Sequence, residues 1–234
     1  MDGPVPDDMA SPASQTLRQR LLGREGFGYL VAMTFVNVSN FAFHILVSRQ
    51  LGPSSYGAVS ALLNIVTFVS IPLLAFQAAV VVDVAKRGKH GALSMRPLFN
   101  MTLLVGLGVT AMLMLTSPAI ADFLSLGSVL PVVVLSTWFV TTIPTPALAG
   151  ASMGQFRFKP VAVASVAGAI VRLVLTGLLG WWGVSLEAPL IGTAVGSAVT
   201  MLVLVVALRP NLRRFVRHPL RLSRSTLGWT LTVL

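Results

Sequence analysis

The sequence predicts an all-α fold: a polytopic membrane helix bundle, with six transmembrane helices forming one lobe and the start of a seventh beyond it. Three observations predict this. Of 234 residues, 55% are hydrophobic and only 10% charged, with a mean hydropathy of +0.84, a balance that soluble globular domains of this size do not carry. Six apolar stretches reach the ~20 residues that a helix needs to cross a ~30 Å hydrocarbon core. The short loops between them alternate between basic and nearly uncharged, the mark of a chain threaded back and forth through a bilayer.

The elements follow in order. Residues 1–26 are polar and mixed in charge, with Pro4, Pro6 and Pro12, and read as a cytoplasmic tail. A cleaved secretory signal is not expected, because the first apolar run is full length and continues into Arg49 and a Gly-Pro turn. The six spans begin near Phe27, Gly57, Leu98, Val129, Pro160 and Ala188. They end near Val47, Val82, Ala121, Gly150, Trp182 and Leu208, so the lobe occupies residues 27–208. Pro72, Pro118, Pro131, Pro144 and Pro146 predict kinks, since proline removes a backbone donor and clashes with the preceding turn. The fourth span, with Thr141-Thr-Ile-Pro-Thr-Pro146, is the one expected to break. Residues 209–225 form an Arg-rich cytoplasmic linker. Residues 226–234 begin a further apolar run, nine residues long, that is too short to cross a bilayer. It reads as the start of a truncated seventh span; the other reading is a tail lying in the interface, anchored by Trp229.

Charge predicts orientation. Fifteen of the 17 Lys and Arg lie before the first span, after the second, after the fourth and after the sixth. The alternate loops hold Arg49 with the acids Asp122 and Glu187. Cytoplasmic loops accumulate Lys and Arg, so the N-terminus and the segment after the sixth span are expected in the cytoplasm of a cell-membrane protein. The net charge of +10 is then explained by attraction to anionic lipid headgroups and not by nucleic acid, because the positives flank apolar spans. Cysteine is absent, which excludes disulfides, thiolate metal sites and a Cys nucleophile. No Walker A loop, metal-ligand cluster, Gly-x-Ser-x-Gly elbow or acidic pair is present, so no catalytic residue, metal or cofactor is expected and the chain is not read as an enzyme.

Polar side chains within spans are costly in hydrocarbon and point to function or to helix contacts. Arg172 lies near the middle of the fifth span, roughly 15 Å from either interface at 1.5 Å per residue, farther than its stem can snorkel. It should face protein or a water-filled cavity, where its planar guanidinium suits phosphate or carboxylate. A structural Arg, paired with a helix carbonyl or with an acid such as Asp83, is the competing reading. In the first span Thr34, Asn37, Asn40, His44 and Ser48 fall within about a third of the helix circumference. Such a stripe lines a cavity that accepts sugar hydroxyls, or else bonds one helix to the next. The second span adds Ser60, Asn64 and Thr67 on one face, then Gln77, with Asp83 at its end beside Lys86 and Arg87. Gly192-Thr-Ala-Val-Gly196 has the spacing of close helix packing. Arg49 suits either a lipid phosphate or the C-terminus of its own helix.

Two of these segments carry a resemblance. Ser48-Arg-Gln-Leu-Gly-Pro-Ser-Ser-Tyr-Gly57, a turn punctuated by Gly and Pro, resembles the S-R-x-L-G-P-x-x-Y-G signature of the polysaccharide biosynthesis or O-antigen flippase family. That family belongs to the multidrug/oligosaccharidyl-lipid/polysaccharide exporter superfamily. Gly150-Ala-Ser-Met-Gly-Gln-Phe-Arg-Phe158 is similar to its G-x-x-x-G-x-x-R-F turn before the fifth helix. The resemblance implies a two-lobed helical bundle around a cavity with alternating access, of which this chain supplies one lobe and the start of the next.

The implied function is the movement of a polyprenyl-pyrophosphate-linked oligosaccharide from the cytoplasmic to the outer leaflet for cell-surface polysaccharide synthesis. Its expected partners are the lipid-linked glycan, membrane lipids, a C-terminal half, and a glycan polymerase or glycosyltransferases. The expected substrate-binding residues are Arg172, Asn37, Asn40, His44, Asn64 and Arg49. Two other functions stay open: a cation-coupled multidrug exporter of the same superfamily, which would favour an acid inside a span, and a non-transporting scaffold of a polysaccharide synthesis complex.

Overall fold

The structure, a computed structural model, describes residues 24–87, 95–183 and 186–213. Most of the tail before residue 24 and the expected seventh span at 226–234 lie outside them. Among the described residues the fold is all-helical, and six helices are long and apolar enough to cross a bilayer. We label them α1 (Gly26–Gly52), α2 (Ser55–Lys86), α3 (Met95–Leu115), α4 (Ser117–Phe123), α5 (Leu130–Thr142), α6 (Thr145–Gly154), α7 (Phe158–Trp181) and α8 (Glu187–Arg213). Helices α5 and α6 together make one span. Helix α8 continues through Arg213, so the expected linker from residue 209 begins as helix.

The proline predictions resolve differently by position. Pro144 and Pro146 withhold backbone donors from the fourth span, and the helix is interrupted between Thr142 and Thr145, as its sequence predicts. Ile143 and Pro144 keep right-handed dihedrals (φ −65°, ψ −41° and φ −78°, ψ −19°), so the interruption costs ladder bonds without reversing the chain. The third span ends at Leu115 and not near Ala121, because Pro118 sits in the first turn of a separate short helix, α4. Pro131 is likewise a helix starter, in the first turn of α5, and kinks nothing. Pro72 leaves the dihedrals of α2 helical.

Two turns explain the two recognisable motifs. Between α1 and α2, Gly52 has φ 70° and ψ 172°, a region open essentially to glycine alone. The reversal after the first span therefore depends on that residue. At the end of α6, Phe156 N–H donates to the Met153 carbonyl (2.8 Å) and Arg157 N–H to the Ser152 carbonyl (2.9 Å). This is a Schellman cap, with Phe156 at φ 58° where glycine is usual. In the same motif Gly150 and Gly154 allow close approach: a Cβ on them would lie 2.9 Å from the Gln77 carbonyl and 2.8 Å from the Val81 carbonyl of α2.

The interrupted span α5–α6 is the central strut. Of its most apolar window 61% is buried within the lobe, against 6% for α2. Helix α3 packs on α5 through Gly106 and a hydrogen bond from Thr110 Oγ1 to the Ser136 carbonyl (2.9 Å). Helix α8 packs on α5 through Ser197, which bonds Thr141 at 2.9 Å and Thr142 at 2.7 Å. Helix α1 packs on α7, and α2 on α6. Apolar clusters close the two ends: Leu62, Leu126, Leu135 and Leu190 at the Gly52 end, and Leu148, Val161, Leu204 and Leu208 at the end where α6 meets α7. The outward faces carry exposed apolar side chains such as Phe68, Leu104 and Met112, with Trp181 and Trp182 exposed where α7 ends. That surface matches hydrocarbon with an aromatic rim.

Candidate functional site

Within the lobe, α1, α2, α5, α6, α7 and α8 enclose an open-sided cavity of about 730 Å³. It takes its charge from one side chain. Arg172 projects into it from α7, fourteen residues from Phe158 and nine from Trp181. At 1.5 Å per residue that is about 21 and 13 Å of helix, so the guanidinium lies inside the membrane-spanning region. Among the described residues no Asp or Glu lines the cavity. The guanidinium is instead held by neutral groups of α1. Its Nη2 donates to Asn40 Oδ1, and its Cζ lies 4.4 Å from the centroid of the Phe43 ring, a cation–π contact. Its Nε is buried without a hydrogen-bond partner among the described residues.

The helix packing behind Arg172 explains its position. A Cβ on Gly192 would lie 2.9 Å from the Arg172 carbonyl, and one on Gly196 would lie 3.0 Å from Arg172 Cβ and 2.7 Å from the Gly168 carbonyl. The Gly192–Gly196 spacing thus lets α8 approach the backbone of α7 at Arg172, the packing role its sequence suggests. Thr200 Oγ1 adds a bond to the Ala164 carbonyl of α7 at 3.3 Å. Opposite, α1 touches α7 through Leu46 against Gly177 and Gln50 against Gly180.

The remaining lining is hydroxyl-rich. Thr67, Ser70, Thr145, Thr193 and Thr200 line the cavity. Thr67, Ser70 and Thr193 each donate to a carbonyl of their own helix at 2.7–3.1 Å, Thr145 donates to the Thr141 carbonyl of α5 at 2.6 Å, and Thr200 shares its proton between the Gly196 carbonyl of its own helix at 3.0 Å and that of Ala164. A hydroxyl so engaged still offers oxygen lone pairs. The cavity therefore presents acceptors along its walls, with amides and an imidazole from Asn40, Asn64 and His44, and strong donors at Arg172. That set suits a ligand with many O–H donors and an anionic centre.

Of the residues the sequence singles out, the structure brings Arg172, Asn40, His44 and Asn64 to this cavity, together with Ser60 and Thr67. It does not bring Asn37 or Arg49, nor Thr34 or Ser48. Asn37 is a turn nearer the start of α1 than Asn40 and exposed; Arg49 is exposed near the end of α1, beyond the cavity. Thr34 and Ser48 bond to their own helix, to the carbonyls of Leu30 (3.0 Å) and Ile45 (2.9 Å). Gln77 reaches Met153 Sδ of α6 (3.4 Å) and belongs to helix packing. Sequence reading missed Thr142, Thr145, Ser165, Thr193, Ser197 and Thr200, all of which line the cavity. Thr193, Ser197 and Thr200 have the i, i+4, i+7 spacing of one helix face, the test applied to the first span and not to the sixth.

Residues 46–232 match the model of a family described as polysaccharide biosynthesis protein. Among solved structures, the fold is similar to that of a MOP superfamily transporter from Pyrococcus furiosus Vc1, at TM-score 0.73 and 20% identity. The description of that protein reads that a reverse polarity of its binding pocket suggests a different function. The fold is also similar to that of a multidrug resistance MATE family transporter of the MOP superfamily in an outward-facing conformation, at TM-score 0.70 and 23% identity. Each comparison covers 92% of this chain and 52% of the other, so the chain spans about half the length of the structures it matches. No curated protein matches the chain. With six apolar helices and these neighbours, the chain is a multi-pass membrane protein with the fold of one MOP-superfamily lobe.

Proposed function

Since the chain belongs to the polysaccharide biosynthesis protein family, we propose that it forms a lobe of a flippase that moves a polyprenyl-pyrophosphate-linked oligosaccharide across the cell membrane. The observation that carries this reading is Arg172, among the described residues the one Lys or Arg lining the cavity, in walls that carry no Asp or Glu and are rich in hydroxyls. A pyrophosphate is stabilised there by the guanidinium, while sugar hydroxyls donate to the Ser and Thr oxygens. The polyprenyl chain stays in lipid, so the protein offsets only the cost of bringing a charged, hydrated headgroup through hydrocarbon. His44 and Asn64 act as headgroup contacts and Arg172 as the phosphate anchor, with Asn40 beside them on Arg172. Arg49 and Asn37, which stand outside the cavity, serve entry of the lipid or contact with a second lobe. Partners are the lipid-linked glycan, a second lobe, and enzymes that build or polymerise the glycan.

Export of cationic drugs fits this lobe less well, because the described lining offers a positive charge and no carboxylate to pair with a cation or exchange a proton. The test is reconstitution of the chain, with any second half encoded alongside it, in liposomes containing a fluorescent lipid-linked sugar. Flipping is expected, and Arg172→Ala is expected to abolish it while leaving the protein folded. Flipping unchanged by Arg172→Ala overturns the role of Arg172, and drug efflux without lipid flipping overturns the substrate class.

A further inference from the structure

Among the described residues Arg172 holds α1 from α7 through two contacts of its guanidinium. One is the donation from Nη2 to Asn40 Oδ1. The other is the Phe43 ring beneath the guanidinium at 4.4 Å. A carboxamide oxygen is a neutral acceptor at the position an oxyanion would take on that edge of the guanidinium. An arriving phosphate oxygen forms the stronger, charge-assisted bond and wins the exchange. Neutralising the cation also weakens its attraction for the Phe43 face, since that attraction is electrostatic. One binding event thus displaces the first contact and weakens the second.

The other contacts between α1 and α7 around this point are packing contacts. Leu46 meets Gly177, with 3.8 Å between its Cδ2 and a Cβ built there, and Gln50 lies over Gly180. Phe43 and Val47 also pack with Leu173, and nearer the start of α1 the Tyr29 ring meets that of Phe158 at 5.6 Å between centroids. Helix α1 ends at Gly52, whose glycine-only dihedrals make the reversal into α2.

We propose that Asn40 is a placeholder for the anion: it occupies Arg172 until an oxyanion displaces it, and the exchange releases α1 from α7. This rests on the cationic-site reading above and adds a positioning and gating role for Asn40 in place of simple substrate contact. It predicts that Asn40 competes with the ligand, the opposite of what a sugar-binding amide would do.

The chain contains no cysteine, so the seam can be probed directly. Paired substitutions Leu46→Cys and Gly177→Cys in the otherwise unaltered chain are expected to cross-link on mild oxidation, and millimolar inorganic pyrophosphate is expected to slow this several-fold. With Arg172→Gln added, pyrophosphate is expected to have no effect. In parallel, Asn40→Ala is expected to bind pyrophosphate roughly tenfold more tightly than the unsubstituted chain, the worth of one displaced hydrogen bond to a charged group. Asn40→Asp, which supplies a permanent internal anion, is expected to lose binding. A cross-linking rate indifferent to pyrophosphate overturns the release, and weaker binding by Asn40→Ala overturns the placeholder. In either case Arg172-dependent binding by the unsubstituted chain leaves the cationic site standing. Absence of pyrophosphate binding altogether overturns both.

Discussion

At the scale of the residue, the lobe turns on one guanidinium and the neutral groups around it. Arg172 was conspicuous in the sequence because an arginine in the middle of an apolar span cannot hide its charge by snorkelling. Its partner was not. Asn40 stood in a stripe with Asn37, His44 and Ser48, and period alone could not say which member faced α7, because residues sharing a helical face differ in depth. The structure separates them: Val36, Asn40, Phe43 and His44 line the cavity, while Asn37, next to Val36, is exposed outside it and Ser48 lies beyond its end. The chemistry at Arg172 depends on a fork and not on a point charge. Arg172→Lys keeps the charge but loses the planar guanidinium that lies on Phe43 and donates to Asn40 when the cavity is empty and to a phosphate when it is loaded. Its binding of inorganic pyrophosphate, measured by calorimetry in detergent, is expected to be about tenfold weaker than that of the unsubstituted protein. Equal affinity would mean that Arg172 acts through charge alone.

At the scale of the element, small residues decide where helices meet. Gly168, Gly192 and Gly196 let α7 and α8 approach until a single added methyl would collide with backbone. The Gly192–Gly196 spacing was legible in the sequence; that it lies directly behind Arg172 was not, since the partner of a packing motif is fixed by the fold. Gly196→Ala is expected to force α8 away from the Gly168 carbonyl, lowering stability by about 1–3 kcal/mol. Thermal unfolding in detergent checks this, and pyrophosphate affinity should fall with it although no ligand-contacting side chain has changed. A stable variant with unaltered affinity would show that α7 is positioned by other contacts. The prolines teach a related lesson. Pro118, Pro131, Pro144 and Pro146 read alike in sequence as breakers, but Pro118, Pro131 and Pro146 lie in the first turns of helices and Pro144 lies in the break between α5 and α6. Whether a proline starts or interrupts depends on where the preceding turn ends, which hydropathy averaged over twenty residues blurs. The hydroxyls of α8 escaped notice for a similar reason: Thr193, Ser197 and Thr200 are cheap in a membrane helix, each able to bond within its own helix or to a neighbour, so nothing in composition flags them.

At the scale of the whole molecule, the six spans were legible from apolar length, and the family from two short turns. Both turns have physical causes in the structure: glycine-only dihedrals at Gly52, and a Schellman cap at Phe156 with close packing at Gly150 and Gly154. The distribution of Lys and Arg adds a prediction about which face is which. Ser128, in the loop between α4 and α5, and Arg157, in the turn between α6 and α7, are both exposed and lie at opposite ends of the α5–α6 span. In the cysteine-less chain, Ser128→Cys is expected to react with a membrane-impermeant thiol reagent in intact cells, and Arg157→Cys only after the cells are opened. The reverse pattern would invert the lobe. The cavity itself was the least legible feature, because it is assembled from six helices that no local pattern pairs.

The placement of Arg172 has an electrical consequence. A fixed positive charge inside the membrane-spanning region sits within the transmembrane potential, where carrying one elementary charge across the full drop is worth about 2.3 kcal/mol per 100 mV. Any rocking of the lobe that moves Arg172 through part of that drop makes the unloaded step sensitive to voltage. Once an anion is bound, the pair presents less net charge to the field, and the same movement becomes less sensitive or changes sign with the ligand's own charge. On the proposed flippase reading the membrane potential acts differently on the empty and the loaded lobe, through an arginine that its hydrophobic surroundings would be expected to exclude.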